Sequence, residues 1–288
     1  MGRARCAGWA LLGASAIASE FMAPAIRATQ GHILHLVSND VQRAAAFASK
    51  HDIPNHGTCL ADALADPAVD AVYISSINSR HCAQAIASAE AGKHVFCDKP
   101  LATTVADARR MVEACRAAGV VLGVNHHLRS TAVHQRMKAM IAEGLIGKPR
   151  SLVIDHVGFL RPELQSWRIK DPAERAIYLD LGIHDIDLAS YLLDRRPVSV
   201  SAVGSSVELG VAGAHDHAMF TMRMEGDVLA QVHDSFVIPG AEGRIAVYGT
   251  QGILVATASF AQNAPGRLIL RAGGKETAVE VERNDNYV

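Results

Sequence analysis

The chain has 288 residues, 49% apolar and 20% charged, with a formal net charge of −1. That describes a folded protein large enough for two cores, and it excludes a disordered chain, a strongly basic nucleic-acid binder and a polybasic membrane-surface protein. No apolar run is long enough to span a bilayer, and five scattered cysteines without a C-x-x-C pair point to free thiols in a reducing, cytoplasmic setting.

The first stretch, GWALLGASAIASEF at 8–21, comes after Arg3 and Arg5 and has the outline of a secretory signal. It equally reads as a first strand, Gly8–Gly13, turning into a helix over Ala16–Arg27 that Pro24 interrupts or kinks. The next hundred residues favour the second reading. His32–Val37 is strand-like, and Asp40–His51 has helical periodicity with Asn39 or Asp40 able to cap it. Asp70–Ser75 reads as a buried strand, Ser79–Ala91 as a helix ending at Gly92, and His94–Cys97 as a short strand. Thr104-Val-Ala-Asp107 resembles a capping box opening a helix that stops at Gly119, and Val120–Val124 closes the series. This alternation predicts an N-terminal α/β domain over 1–124, a doubly wound parallel sheet of the Rossmann type. Removing a signal would delete its central strand.

From Asn125 the pattern changes. A helix over Thr131–Glu143 precedes a strand at Ser151–Val157, then a loop with Pro162, Trp167 and Pro172, then a helix from near Asp180. From Ser199 onward strands dominate: SVSAVGSSV, HAMFTMRM, VLAQVHDSFV, GRIAVYG, GILVAT, RLILRA and TAVEVE. Turn pairs such as Glu225-Gly226 and Gly273-Gly274 separate several of them. Residues 125–288 are expected to form an α+β domain with a large open, mainly antiparallel sheet.

Three motifs carry chemistry. Gly13-x-Ser15-x-x-Ala18 is the dinucleotide turn G-x-G-x-x-G/A with Ser at its second position. Gly13 permits the tight turn, small Ser15 admits a pyrophosphate, and Ala18 lets helix and strand pack closely. The second strand ends at Ser38-Asn39, with Arg43 a turn later, where an acidic residue would otherwise bind a ribose 2′-hydroxyl. This arrangement fits NADP(H) better than NAD(H), although Asp40 lies close. Cys97-Asp98-Lys99-Pro100 comes after a strand at the end of the sheet where ligands sit, so Lys99 is a candidate proton donor or carbonyl polariser, beside the plainer reading of a surface lysine.

The third motif, D-x-G-x-H-D-x-D at 180–187, spaces Asp180, His184 and Asp187 at i, i+4, i+7 on one helix face. A carboxylate beside an imidazole suits a general acid. A structural histidine near a helix start and a metal pair are the alternatives; with no cluster of soft ligands elsewhere, no metal is expected. His215-Asp216-His217 places both histidines on one face of a strand and reads as structural or surface groups.

Together, GASAIA at 13–18, INSRH at 77–81, AGKHVFCDKP at 91–100 and D-x-G-x-H-D-x-D at 180–187 resemble the glucose-fructose oxidoreductase/inositol dehydrogenase (Gfo/Idh/MocA) family; NHHLR at 125–129, LQSWR at 164–168 and VHDSF at 232–236 strengthen the likeness. The resemblance implies NADPH-dependent reduction of a sugar ketone, with His184 as proton donor, Lys99 polarising the carbonyl and Asp180 orienting His184 or a hydroxyl. His156, Trp167 and Arg168 would join these three in binding the sugar. Gly13, Ala14, Ser15, Ala16 and Ile17 would hold the phosphates, and Ser38, Asn39 and Arg43 the 2′-phosphate. Ser76, Asn78, His81, Asp98, Lys99, Asn125, Trp167, Arg168 and Tyr287 would complete the cofactor site. NAD(H), an NAD-dependent polyol or inositol dehydrogenase, and a non-catalytic dinucleotide binder are the competing expectations. The implied partner is a small sugar, without nucleic acid or membrane, and the family often pairs through the open sheet of its second domain.

Three departures stand out. Asp98 replaces a usual Glu, and Ala173–Tyr178 replaces a glycine cluster and is one residue shorter. The sequence also stops at Asn286-Tyr287-Val288, where the family continues into closing helices. Truncation, with exposed apolar surface and an unsupported Tyr287, is the expectation.

Overall fold

A computed structural model describes residues 6–174, 176–261, 266–282 and 284–288. Arg3 and Arg5 of the signal-like outline, and Arg175 of the 173–178 stretch, lie outside the described residues. The chain divides into two units, one of residues 1–125 with 287–288, the other of residues 126–286.

The first unit is a six-stranded parallel sheet. Its strands are β1 (Gly8–Leu12), β2 (His32–Val37), β3 (Asn55–Gly57), β4 (Ala71–Ile74), β5 (His94–Asp98) and β6 (Leu122–Asn125), in spatial order β3-β2-β1-β4-β5-β6. The order reverses between β1 and β4, the switch point at which such sheets take ligands beyond their carboxyl ends. Helices α1 (Ala23–Ala28), α2 (Val41–Lys50), α3 (Leu60–Ala65), α4 (His81–Glu90) and α5 (Val105–Ala117) cover it. Leu11, Leu36 and Tyr73 anchor one face of apolar packing, and Leu12, Val72 and Ile74 the other, all buried. Continuous apolar strands are the consequence of burial on both faces.

Asp40 caps α2 by accepting the Arg43 N–H at 2.7 Å. Thr104 caps α5 by accepting the Asp107 N–H at 3.1 Å. The α-helical bonding after β1 is interrupted just before Pro24, and the helix continues beyond it. A π turn over Ala18–Met22 carries the chain into α1, with the Ala23 N–H bonded to the Ala18 carbonyl, five residues back. Shifting the bonding pattern by one residue just before the proline accommodates its missing donor without a break.

The second unit is an eight-stranded mixed sheet backed by α6 (Ala132–Ala142) and α8 (Ile183–Leu193), with a short α7 (Trp167–Lys170) between them. Its strands are β7 (Pro149–Val157), β8 (Pro197–Ser205), β9 (His217–Met224), β10 (Leu229–Ser235), β11 (Arg244–Gly249), β12 (Gly252–Thr257), β13 (Arg267–Ala272) and β14 (Lys275–Val279), in order β14-β13-β12-β11-β7-β10-β9-β8. Among the described residues only the β7–β10 pair of this sheet is parallel. Inward residues such as Ile154, Phe220, Val232 and Leu254 meet Met137, Met140, Leu188 and Leu192 of the helices in one core. The strand alternation continues on the other face as exposed Met219 and Leu229.

Asp216 is the second unit's clearest polar anchor. It is fully buried, and its carboxylate accepts the N–H groups of Val207, Glu208, Leu209 and Gly210 at 2.6–2.9 Å. Burial alone would raise its pKa, but the four donors outweigh burial and hold it below the ordinary carboxylate range. Asp216→Ala is expected to cost ~3 kcal/mol or more, because it removes four hydrogen bonds to one buried charged acceptor; urea unfolding measures it. The folded pKa is depressed, so the contribution is present above the unfolded carboxylate value and fades as pH falls through the folded one. The acid-induced loss should therefore shrink in the variant.

Candidate active site

In the first unit, the turn after β1 is built around Gly13. Its φ is +118°, and a Cβ there would lie 2.7 Å from the Ser76 nitrogen and 2.8 Å from the Ser75 carbonyl carbon. Only glycine fits that close passage of two backbones at the switch point. Ser15 turns its hydroxyl inward, accepting the Ala18 N–H at 3.1 Å and meeting Ser75 Oγ at 2.8 Å. The serine that replaces the motif's second glycine thus caps the helix it begins. Ala16 is exposed at that helix start, while Ala14 and Ile17 pack toward the core. A phosphate beside this turn would meet small side chains and a helix N-terminus, so the residues present fit a dinucleotide. At the end of β2, Ser38 is buried whereas Asn39 and Arg43 are exposed.

The loops after β4 and β5 are tied together by His81. It is almost fully buried, with ring nitrogens 2.8 Å from the Pro100 carbonyl and 3.2 Å from that of Ser76. Ser76 also donates to Gln84 at 2.7 Å, and Asn78 is buried in the turn that opens α4. The Lys99–Pro100 peptide is cis, and Lys99 is half-buried at the carboxyl end of β5. Asp98 accepts the Lys99 N–H at 3.0 Å and faces the Asn125 amide at 3.4 Å across the β5–β6 register. Tyr73 lies buried behind them; burial, with the Asp98 charge next, pushes its phenol well above its ordinary value, so it stays neutral. Tyr287 is not unsupported, contrary to the expectation from sequence: its ring stacks on Phe21 at 5.1 Å and packs with the first unit's core.

In the second unit, α8 opens through a π turn, Tyr178–Gly182, in which the Ile183 N–H bonds to the Tyr178 carbonyl five residues back. Asp180, inside it, pairs with Arg168 at 3.3 Å, and the Arg168 guanidinium lies 4.6 Å from the Trp167 ring. His184, 5% exposed, is met edge-on by His127 at 5.0 Å and His126 at 6.2 Å. Asp187 accepts Arg129 Nε at 2.7 Å and stands beside His126.

Sequence reasoning missed two carboxyls. Asp185 and Asp234 are both fully buried, and Asp185 lies 3.0 Å from His156 Nδ1. Burial, then the Asp185 charge, pushes Asp234 up to about 10. A signal existed: Asp234 continues the inward positions of Ala230 and Val232 on an alternating strand, where a carboxyl is anomalous. Ligand atoms of His156, Asp185 and Asp234 lie within 4.8 Å of one another, close enough to surround a cation.

Comparison with known proteins agrees with this architecture. Residues 7–126 match the oxidoreductase family with an NAD-binding Rossmann fold, and residues 134–255 match the GFO/IDH/MocA C-terminal domain. The chain belongs to the Gfo/Idh/MocA family. As a member it is an NAD(P)-dependent oxidoreductase acting on CH–OH groups of sugars. It is 41% identical over 280 residues to 1,5-anhydro-D-fructose reductase of Ensifer adhaerens, an alignment covering 97% of this chain and 84% of that protein. It is 35% identical over 195 residues to myo-inositol 2-dehydrogenase of Thermotoga maritima, covering 66% and 57%. Among solved structures it resembles aldose-aldose oxidoreductase of Caulobacter crescentus complexed with glycerol, with a TM-score of 0.89, 25% identity and coverage of 98% and 86%. No helix among the described residues of this Gfo/Idh/MocA protein is long and apolar enough to cross a membrane.

Proposed function

We propose that the chain is an NADPH-dependent sugar-ketone reductase, converting 1,5-anhydro-D-fructose to 1,5-anhydro-D-mannitol. Residues 1–124 hold the cofactor and 125–288 the sugar. The observation that carries this reading is the near full-length, 41% identity to the Ensifer reductase. It is supported by Lys99 at a strand end beside the switch point and by His184 buried among imidazoles.

When bound, the reduced nicotinamide supplies a hydride to the keto carbon. The Lys99 ammonium polarises the carbonyl oxygen, and His184 gives that oxygen its proton as the alkoxide develops. Asp180, held by Arg168, orients the sugar or the imidazole. Trp167 and His156 line the sugar site. Gly13 through Ile17 hold the phosphates, and Ser76, Asn78, His81, Asp98, Asn125 and Tyr287 frame the nicotinamide end. Ser38, Asn39 and Arg43 receive the 2′-phosphate. Support for NADPH comes from Arg43, whose exposed guanidinium lies one turn beyond the end of β2, while Asp40 serves as the helix cap by accepting the Arg43 N–H.

NADPH oxidation by the purified protein across a sugar panel tests the proposal. Turnover with 1,5-anhydro-D-fructose supports it, whereas oxidation of myo-inositol with NAD+ and none with the ketone would overturn it. Arg43→Ala should raise the KM for NADPH ~10- to 100-fold, the worth of a charge-assisted phosphate contact, and leave NADH kinetics nearly unchanged. Strict use of NADH by the unmodified enzyme would overturn the NADPH assignment.

A further inference from the structure

The buried trio in the second unit is put together from three elements. His156 on β7 and Asp234 on β10 are register partners on adjacent parallel strands, and Asp185 comes from the first turn of α8. Two further neighbours of Asp234 among the described residues carry no charge: its register partner on β9 is Ala218, and the π turn offers Gly182, where a Cβ would sit 3.3 Å from Asp234 Oδ2. Two fully buried carboxyls therefore share one half-buried imidazole. Both cannot be ionised there, since even a protonated histidine would leave a net buried negative charge.

Geometry decides which carboxyl holds the hydrogen. The two oxygens of Asp185 lie 3.2 and 3.0 Å from His156 Nδ1, the arrangement of an ionised acceptor facing an N–H donor. Neither oxygen of Asp234 receives a hydrogen bond from a described residue, although both are buried. A carboxyl left without donors is best placed to donate. The ring of His156 is fixed from the side by Phe260, stacked at 4.1 Å with planes 17° apart.

We propose that Asp234 permanently carries its hydrogen and donates it to Asp185, and that this pair fixes His156 as the Nδ1–H tautomer, presenting Nε2 as an acceptor for one hydroxyl of the sugar. Asp234 is then a positioning residue. Its burial-raised pKa agrees with that hydrogen placement. The consequence for the reaction, which rests on the sugar-reductase reading, is selectivity: the site accepts a hydroxyl that donates to Nε2 and discriminates against its deoxy counterpart.

The protein without substrate tests the hydrogen placement, and this part stands apart from the sugar assignment. Infrared spectroscopy at neutral pH should show a protonated-carboxyl stretch that shifts in D2O and is lost in Asp234→Asn. Nitrogen NMR should report Nδ1–H for His156 in the unmodified protein and in Asp234→Asn, whose amide still donates to Asp185, but not in Asp185→Asn. Kinetics then test the consequence. Asp234→Leu should raise the sugar KM ~10-fold or more with a smaller change in kcat, and Asp234→Asn should restore most of that loss. Absence of the carboxyl band, or its persistence in Asp234→Asn, overturns the hydrogen placement. So does stoichiometric Zn2+ binding that Asp234→Asn abolishes, which would make the trio a cation site. Correct spectra with an unchanged KM in Asp234→Leu overturn the contact with the sugar.

Discussion

Replacing His184 with alanine is expected to lower kcat by ~10²- to 10⁴-fold, the usual contribution of a positioned general acid. NADPH affinity, read by cofactor fluorescence, should hardly change. The expectation comes from the surroundings of this imidazole. It is nearly buried and packed edge-on by His126 and His127, so its ring is held in place before any substrate arrives. Lys99→Met should cause a loss of similar size, because it removes the only charge proposed to polarise the carbonyl. The double variant gives the sharper reading. Under the proposed mechanism both groups serve one oxygen and act as a unit, so their losses should fall well short of multiplying. If the double variant instead lost the product of the two single effects, Lys99 and His184 would act independently, and the proposed division of labour between them would be wrong.

Much of the fold was legible because its signals are local. Thr104 with Asp107, Asp40 before its helix, and the turn pairs at Glu225-Gly226 and Gly273-Gly274 each do in the structure what short-range chemistry dictates. The strands of the second unit begin and end within a few residues of their apolar runs. The two π turns were not legible, since a shift from i−4 to i−5 bonding leaves no mark on apolar periodicity. β3 and α3 escaped because three and six residues are too few to establish a period. Within the site, Lys99 was marked by its place after a strand. Asp185 was hidden beside the more conspicuous His184. Asp234 lay inside VHDSF, a stretch whose likeness to the family says nothing of which face its aspartate takes.

Asp234 also yields the second large effect, on stability. Its folded-state pKa is raised to about 10 from an ordinary 3.8, chiefly by burial and then by the Asp185 charge. The folded protein therefore keeps a proton that the unfolded chain releases. Between those two values the unfolding free energy falls as pH rises, with a limiting slope of about 1.4 kcal/mol per pH unit, and outside them this group contributes no slope. Asp234→Asn removes the titration while preserving the shape and an N–H donor toward Asp185. The variant should thus gain on the unmodified protein steadily with alkalinity, by ~4 kcal/mol between pH 5 and pH 8 if the slope is fully expressed. Urea unfolding at a series of pH values measures the difference directly. A gap that stays constant with pH would mean that Asp234 ionises in the folded state, which would remove the hydrogen from the buried pair. A widening gap would show that the protein tolerates an instability at this point of β10 that an asparagine would relieve, the pattern expected where a carboxyl is retained for the orientation of a neighbouring imidazole and not for the strength of the core.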